Sequence, residues 1–219
     1  MAVAIIITCE HGGNQIPLRF RTAFSPEDVG TIEEAWDPGA LDMALSLSQL
    51  LDVPCFSHQT SHALVNVNHS LGHEQLFSLA SASLSDADKQ LILERYYFPY
   101  RLRVESAIAM AEKPVLHISI HTVTEGAFDM MLYYRSDRSL EMETATKLHG
   151  LLSSANDTIS YRLHDQANAE HDSFIKYLRT RFQEEEYAGL TFVVKSTLAE
   201  ETMDLLISDL ASALNALRT

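Results

Sequence analysis

Short, unbroken apolar runs alternate along this chain with segments of helical periodicity, and that alternation restricts it to an α/β architecture. The first run, Val3–Thr8, is mostly β-branched. Such a run suits a strand buried on both faces, as in a parallel sheet. Pro54–Phe56, Ala63–Val67, Val115–Ile120, Met130–Tyr134 and Leu190–Val194 read as further strands. Helical spacing recurs in Ala40–Leu51, from Ser85 to about Met110, and in Leu140–Ser153, Ser173–Glu186 and Thr202–Leu217. Ser85 and Asp88 have the spacing of a capping box, and Pro99 marks a bend in the helix that follows. With 219 residues, the expectation is one domain over 1–219. Its fold class is a three-layer α/β arrangement, with a mixed, mostly parallel sheet flanked by helices.

Charge excludes some partners. The chain has 16 Lys and Arg against 30 Asp and Glu, a formal net charge of −14. Nucleic acid and anionic membrane both call for clustered positive charge, so neither is expected as a partner. Cys9 and Cys55 both lie in apolar runs, which fits reduced, buried thiols and a reducing compartment. The start of the chain lacks a basic region and a cleavage site, and no apolar segment approaches the ~20 residues that cross a bilayer. The expectation is a soluble, cytoplasmic protein.

In α/β sheets, ligands sit outside the carboxyl ends of the strands. Two strand ends carry histidine: His11, in Cys9-Glu10-His11-Gly12-Gly13-Asn14, and His121, after Val115–Ile120. Two imidazoles at corresponding strand ends are a start on a zinc site, which needs a third donor. Asn14 offers a neutral carbonyl. Asp37, in Trp36-Asp37-Pro38-Gly39-Ala40, offers an anion, or else caps the helix that begins there. His117 lies four residues from His121, ~13 Å along a strand, too far to share an ion. It reads as a buried, hydrogen-bonded histidine. His58, His62, His69 and His73 form a second histidine group. Asn66 and Asn68 fall on one face of the strand read over Ala63–Val67, or else serve a turn.

These residues resemble a family. Thr8-Cys9-Glu10-His11-Gly12-Gly13-Asn14-Gln15-Ile16-Pro17 looks like the opening signature of the N-formylglutamate amidohydrolases, and Ala35-Trp36-Asp37-Pro38-Gly39-Ala40 like their second block. Ser61–His69 falls where that family has a Ser-Arg stretch ending in Asp-x-Asn-Arg. Tyr97-Phe98-Pro99-Tyr100 is similar to its Pro-Tyr block, and Ile118-Ser119-Ile120-His121-Thr122 to its strand ending in His-Ser or His-Thr. Order and spacing hold from residue 5 to about 125. The resemblance implies a zinc-exopeptidase-like fold and metal-dependent hydrolysis of an amide in a small N-acyl amino acid. It implies one zinc ion on His11, His121 and Asn14, with Asn68 and its neighbour holding a substrate carboxylate.

The chain departs from that pattern where substrate and catalysis are concerned. The block reads Asn66-Val67-Asn68-His69, with His69 in place of an arginine fork, and His62 replaces the Ser-Arg arginine. Lys195 stands where the family's last strand ends in glutamate. Glu10, beside His11, and Glu125, shortly after His121, are the candidate replacement bases. Glu200 and Glu201 follow the last strand. Arg101, Arg103 and Arg135 are candidate partners for a substrate anion. The expected function is a metal-dependent amidohydrolase. The alternative is a non-catalytic relative that binds a small anionic ligand or a protein partner.

Overall fold

The computed structural model describes residues 3–24, 35–169 and 171–218. Six strands form one sheet: β1 (Ala4–Cys9), β2 (Cys55–Ser57), β3 (Val115–Val123), β4 (Met130–Tyr134), β5 (Tyr161–Asp165) and β6 (Tyr187–Lys195). Their order is β2-β1-β3-β6-β4-β5. Four neighbouring pairs are parallel, and β4 runs antiparallel to β6. The three central strands are almost entirely buried, as their continuous apolar runs require.

The helices are α1 (Ala40–Leu51), α2 (Leu79–Ala82), α3 (Asp86–Ile92), α4 (Phe98–Met110), α5 (Ser139–Ala155), α6 (Phe174–Arg181) and α7 (Glu200–Leu217). One face of the sheet packs on α1, α5 and α7 through Met43, Leu47, Leu148, Leu152, Leu210 and Leu214. The other packs on α4, α6 and the loop that carries Leu64, Val65 and Val67. This is the expected three-layer mixed sheet, and α1 and β4 have the bounds read from sequence. Ser85 caps α3 by accepting from the Asp88 N–H at 3.2 Å. The bend at Pro99 is a π-helical turn, Leu93–Tyr97, joining α3 to α4. A proline lacks the donor that an α-helical turn would need there, and a wider turn accommodates the loss.

Three expectations need correction. Ala63–Val67 is not a strand. It is a series of turns begun by Leu64 N–H donating to the Ser61 carbonyl at 2.9 Å. Its apolar side chains are buried in the second core, which is why it reads as a strand. The helix read over Ser173–Glu186 stops at Arg181, where Phe182 turns extended to pack on Tyr187. Strand β5 was not anticipated, because Tyr-Arg-Leu-His-Asp is a polar edge sequence with only Tyr161 buried. Among the described residues, no helix is long and apolar enough to cross a membrane.

His117 is buried, as expected. Its Nε2 lies 2.8 Å from Thr8 Oγ1 and its Nδ1 2.7 Å from Tyr187 Oη, a chain linking β1, β3 and β6. Burial pushes the ring down to about 4 against the nearby charge of Glu10. A base whose folded pKa is depressed contributes stability above its unfolded value, ~6.5, and loses it as pH falls. The expected contribution is a few kcal/mol, lost between pH 6.5 and about 4. Imidazole NMR shifts should show His117 neutral down to about pH 4; titration near 6.5 would contradict its burial.

Candidate metal centre

His11 leaves the end of β1 on a loop anchored to the β2 side. Gly12 N–H donates to the His58 carbonyl at 3.0 Å, and His58 N–H to the Cys9 carbonyl at 2.9 Å. Gly13 is required by close approach: a Cβ there would lie 2.6 Å from the Gln59 carbonyl oxygen. Gly13→Ala should therefore destabilise the protein by about 1–3 kcal/mol, read as a lower urea midpoint. An unchanged midpoint would mean that the loop yields.

Asp37 reaches the same place from far along the chain. Its N–H donates to the His11 carbonyl at 2.9 Å. It does not cap α1, because Gly39, at φ 81°, is the capping residue. That frees the Asp37 carboxylate to face the histidines. His121 lies within β3, near its end, rather than after it. Its Nδ1 is 2.6 Å from Asp37 Oδ2, and His11 Nδ1 is 3.5 Å from the same oxygen. The ligand atoms of His11, Asp37 and His121 all lie within 4.8 Å of one another.

Hydrogen bonding places a proton on His11 Nε2. Asn66 Oδ1 accepts the Asn68 N–H at 3.0 Å, so that atom is the amide oxygen. His11 Nε2, 3.0 Å from it, must then donate. His11 Nδ1 then lies toward a carboxylate oxygen, where either a proton on Nδ1 or a cation between the two satisfies both atoms. A histidine whose far nitrogen donates to a fixed acceptor is also the usual arrangement of a metal ligand. Two imidazoles and a carboxylate match the donor set of catalytic zinc sites, so the residues fit the ion. A tetrahedral zinc ion spaces its ligand atoms by ~3.3 Å. The His11–Asp37 separation is close to that, while the His121–Asp37 pair is hydrogen-bonded and must open slightly to admit an ion.

Glu10 is buried beneath this group rather than solvated. Ser119 Oγ donates to its Oε2 at 2.6 Å, and Tyr100 Oη to its Oε1 at 3.0 Å. Burial would raise its pKa, but His121, His117 and the Ser119 hydrogen bond outweigh it and hold the carboxyl below the usual range. Burial likewise disfavours charge on His121. The Asp37 hydrogen bond and the two carboxylates outweigh that and raise its pKa above the ordinary imidazole value. For Asp37 itself, burial is overcome by the two histidines, and its carboxyl stays ionised.

Of the other expected residues, Asn14 is exposed and Asp37 supplies the donor beside the histidines. His11, His121, Asn66, Asn68 and His69 line one cleft. Asn68 Oδ1 is committed to the Phe174 N–H at 2.8 Å, leaving its NH₂ group as a neutral donor. Arg101 is not brought to this cleft. Its guanidinium is buried between Phe174 and Tyr177 and donates to the Val67 and His69 carbonyls. Glu125 is exposed and lines a neighbouring cavity with Asp37 and Trp36. His62, named in the second histidine group, has its ring centroid 4.5 Å from that of His11, tilted by 33°. Tyr133 of β4 and Gln166, His171 and Ser173 also line the cleft and were not singled out; the last three lie in irregular segments without a periodic signal.

Comparison of the sequence with protein-family models and with curated proteins gives no match. Solved structures do resemble the fold. A gene product of Agrobacterium tumefaciens aligns over 98% of this chain and 89% of its own, with a TM-score of 0.77 and 18% identity. The succinylglutamate desuccinylase of Chromobacterium violaceum aligns over 99% of this chain and 60% of its own, with a TM-score of 0.48 and 16% identity. Murine aminoacylase 3 aligns over 98% and 64%, with a TM-score of 0.45 and 14% identity. This chain spans about three fifths of the latter two proteins, whose looser likeness carries no argument here. The Agrobacterium protein shares the fold.

Proposed function

We propose that this protein is a zinc-dependent hydrolase that cleaves an amide bond in a small N-acyl amino acid or similar anion. The observation that carries the reading is the grouping of His11 Nδ1 and His121 Nδ1 at 3.5 and 2.6 Å from Asp37 Oδ2, with both histidines lining the cleft. His11, His121 and Asp37 are the residues that would hold the ion. When bound, zinc polarises the scissile carbonyl and lowers the pKa of water for attack. The chain's own groups do the rest. Asn66 fixes the His11 tautomer. Glu10, 3.6 Å from His121 Nε2 and closed off from solvent, positions that ring rather than taking a proton from the cleft. Glu125, exposed beside Asp37, is the carboxylate we assign to accept the proton. The Asn68 NH₂ group and the His69 ring face the substrate carboxylate. The motifs shared with N-formylglutamate amidohydrolases support the same chemistry. The missing arginine at 69 argues for a different acid from N-formylglutamate.

The test is turnover of a panel of N-acyl amino acids by protein made without a histidine tag. Chelation should abolish turnover, and zinc should restore it. Glu125→Gln should lower turnover with zinc affinity unchanged. Turnover that survives exhaustive removal of metal would contradict the mechanism. Saturable binding without turnover would favour a non-catalytic binding protein.

A further inference from the structure

A second group of metal-ligating side chains includes His69, which lines the same cleft. His69 follows the Asn66–Asn68 turn, His73 lies four residues on, and Asp172 precedes α6. One ligand atom from each falls within 4.8 Å of the others. Asp172 is held in place: Ser70 N–H donates to its Oδ2 at 2.7 Å and Ser70 Oγ to its Oδ1 at 2.8 Å. Each carboxylate oxygen keeps a further lone pair. His69 is 9% exposed, and its Nδ1 is buried without a hydrogen-bond partner among the described residues. That nitrogen points at Asp172 Oδ2 from 3.5 Å. Buried imidazole nitrogens are seldom left unsatisfied, and one this close to a fixed carboxylate can be satisfied by a cation held between the two.

His73 completes the set. Its ring stacks on His69 with centroids 3.9 Å apart and planes 8° from parallel. Its Nδ1 accepts the Gln75 N–H at 3.1 Å, which identifies Nδ1 as the nitrogen carrying the lone pair. Parallel rings cannot both aim in-plane lone pairs at one ion, so His73 is the ligand that must turn, exchanging Gln75 for the metal.

We propose that His69, His73 and Asp172 form a second divalent-cation site, of zinc-type preference, behind the part of the cleft that His69 lines. Two imidazoles and one carboxylate suit zinc over the harder calcium or magnesium ions. The site has a chemical consequence. The cleft lining contains no lysine or arginine among the described residues. A cation at His69 is then the fixed positive charge that a substrate carboxylate would meet. The site itself does not depend on amide hydrolysis.

The experiment is equilibrium dialysis of the untagged full chain against zinc, followed by metal analysis. Wild type should bind two equivalents. His73→Ala, whose side chain belongs to no core cluster, should bind one, and so should Asp172→Asn. Asp37→Ala should also bind one, and the Asp37→Ala/His73→Ala protein none. A His73→Ala protein that keeps the wild-type number of equivalents would overturn the second site. If His73→Ala loses an equivalent while Asp37→Ala loses none, the second site stands and the His11–Asp37–His121 centre falls.

Discussion

His11→Ala is expected to abolish amide hydrolysis and to weaken zinc binding by more than ~100-fold, with little change in thermal stability. The loss should exceed the ~10–100-fold typical of an outer partner, because His11 Nδ1 is itself a donor to the ion. The fold should survive, since the loop is held by backbone contacts that alanine keeps, including Asp37 N–H on the His11 carbonyl. Asn66→Ala should sit lower on the same scale, at ~10–100-fold, because it frees the His11 tautomer without removing the ligand. Calorimetric titration with zinc and a thermal melt separate the outcomes. A His11→Ala protein with unchanged affinity would remove the residue from the centre.

Glu141→Ala should be the most damaging single change to stability, at about 3–5 kcal/mol. Glu141 is fully buried at the start of α5. Arg179 of α6 grips it through two parallel bonds of 2.9 and 2.8 Å, and the Gly189 N–H of β6 donates to it at 3.1 Å. Arg138 lies 3.3 Å from it as well. One carboxylate thus ties helices on opposite faces of the sheet to a central strand. Its removal strands a nearly buried guanidinium, and that uncompensated charge is the source of the cost. For a domain of this size the drop corresponds to roughly 10 °C in melting temperature. The double variant Glu141→Ala/Arg179→Met should recover much of the loss. No recovery would mean that the carboxylate acts through its backbone contacts instead.

The frame of the fold was legible because β1, β3 and β6 are buried on both faces and therefore read as unbroken apolar runs. Where burial is not that of a strand, the same signal misleads. Leu64, Val65 and Val67 are fully buried in a loop of turns, and periodicity has no means of telling that from a strand. The grouping of His11, Asp37 and His121 was half legible. His11 and His121 stood out as histidines at adjacent strand ends. The rank of their third partner did not, because the family resemblance favoured Asn14. Asp37 arrives through a backbone bond to His11 across 26 positions, a contact no spacing rule contains. Glu10 was read as a candidate base beside His11, with no sign of its burial. Its burial depends on Tyr100 and Ser119, which come from two other elements.

The account's central claim is that His11, Asp37 and His121 share one ion. Crystals grown with zinc and measured on both sides of the zinc absorption edge test it directly. The claim predicts an anomalous peak in bonding contact with His11 Nδ1, His121 Nδ1 and an Asp37 oxygen, whatever is found at His69. At saturating zinc, a map with no peak between those three residues, and with Asp37 still hydrogen-bonded to His121, would contradict it.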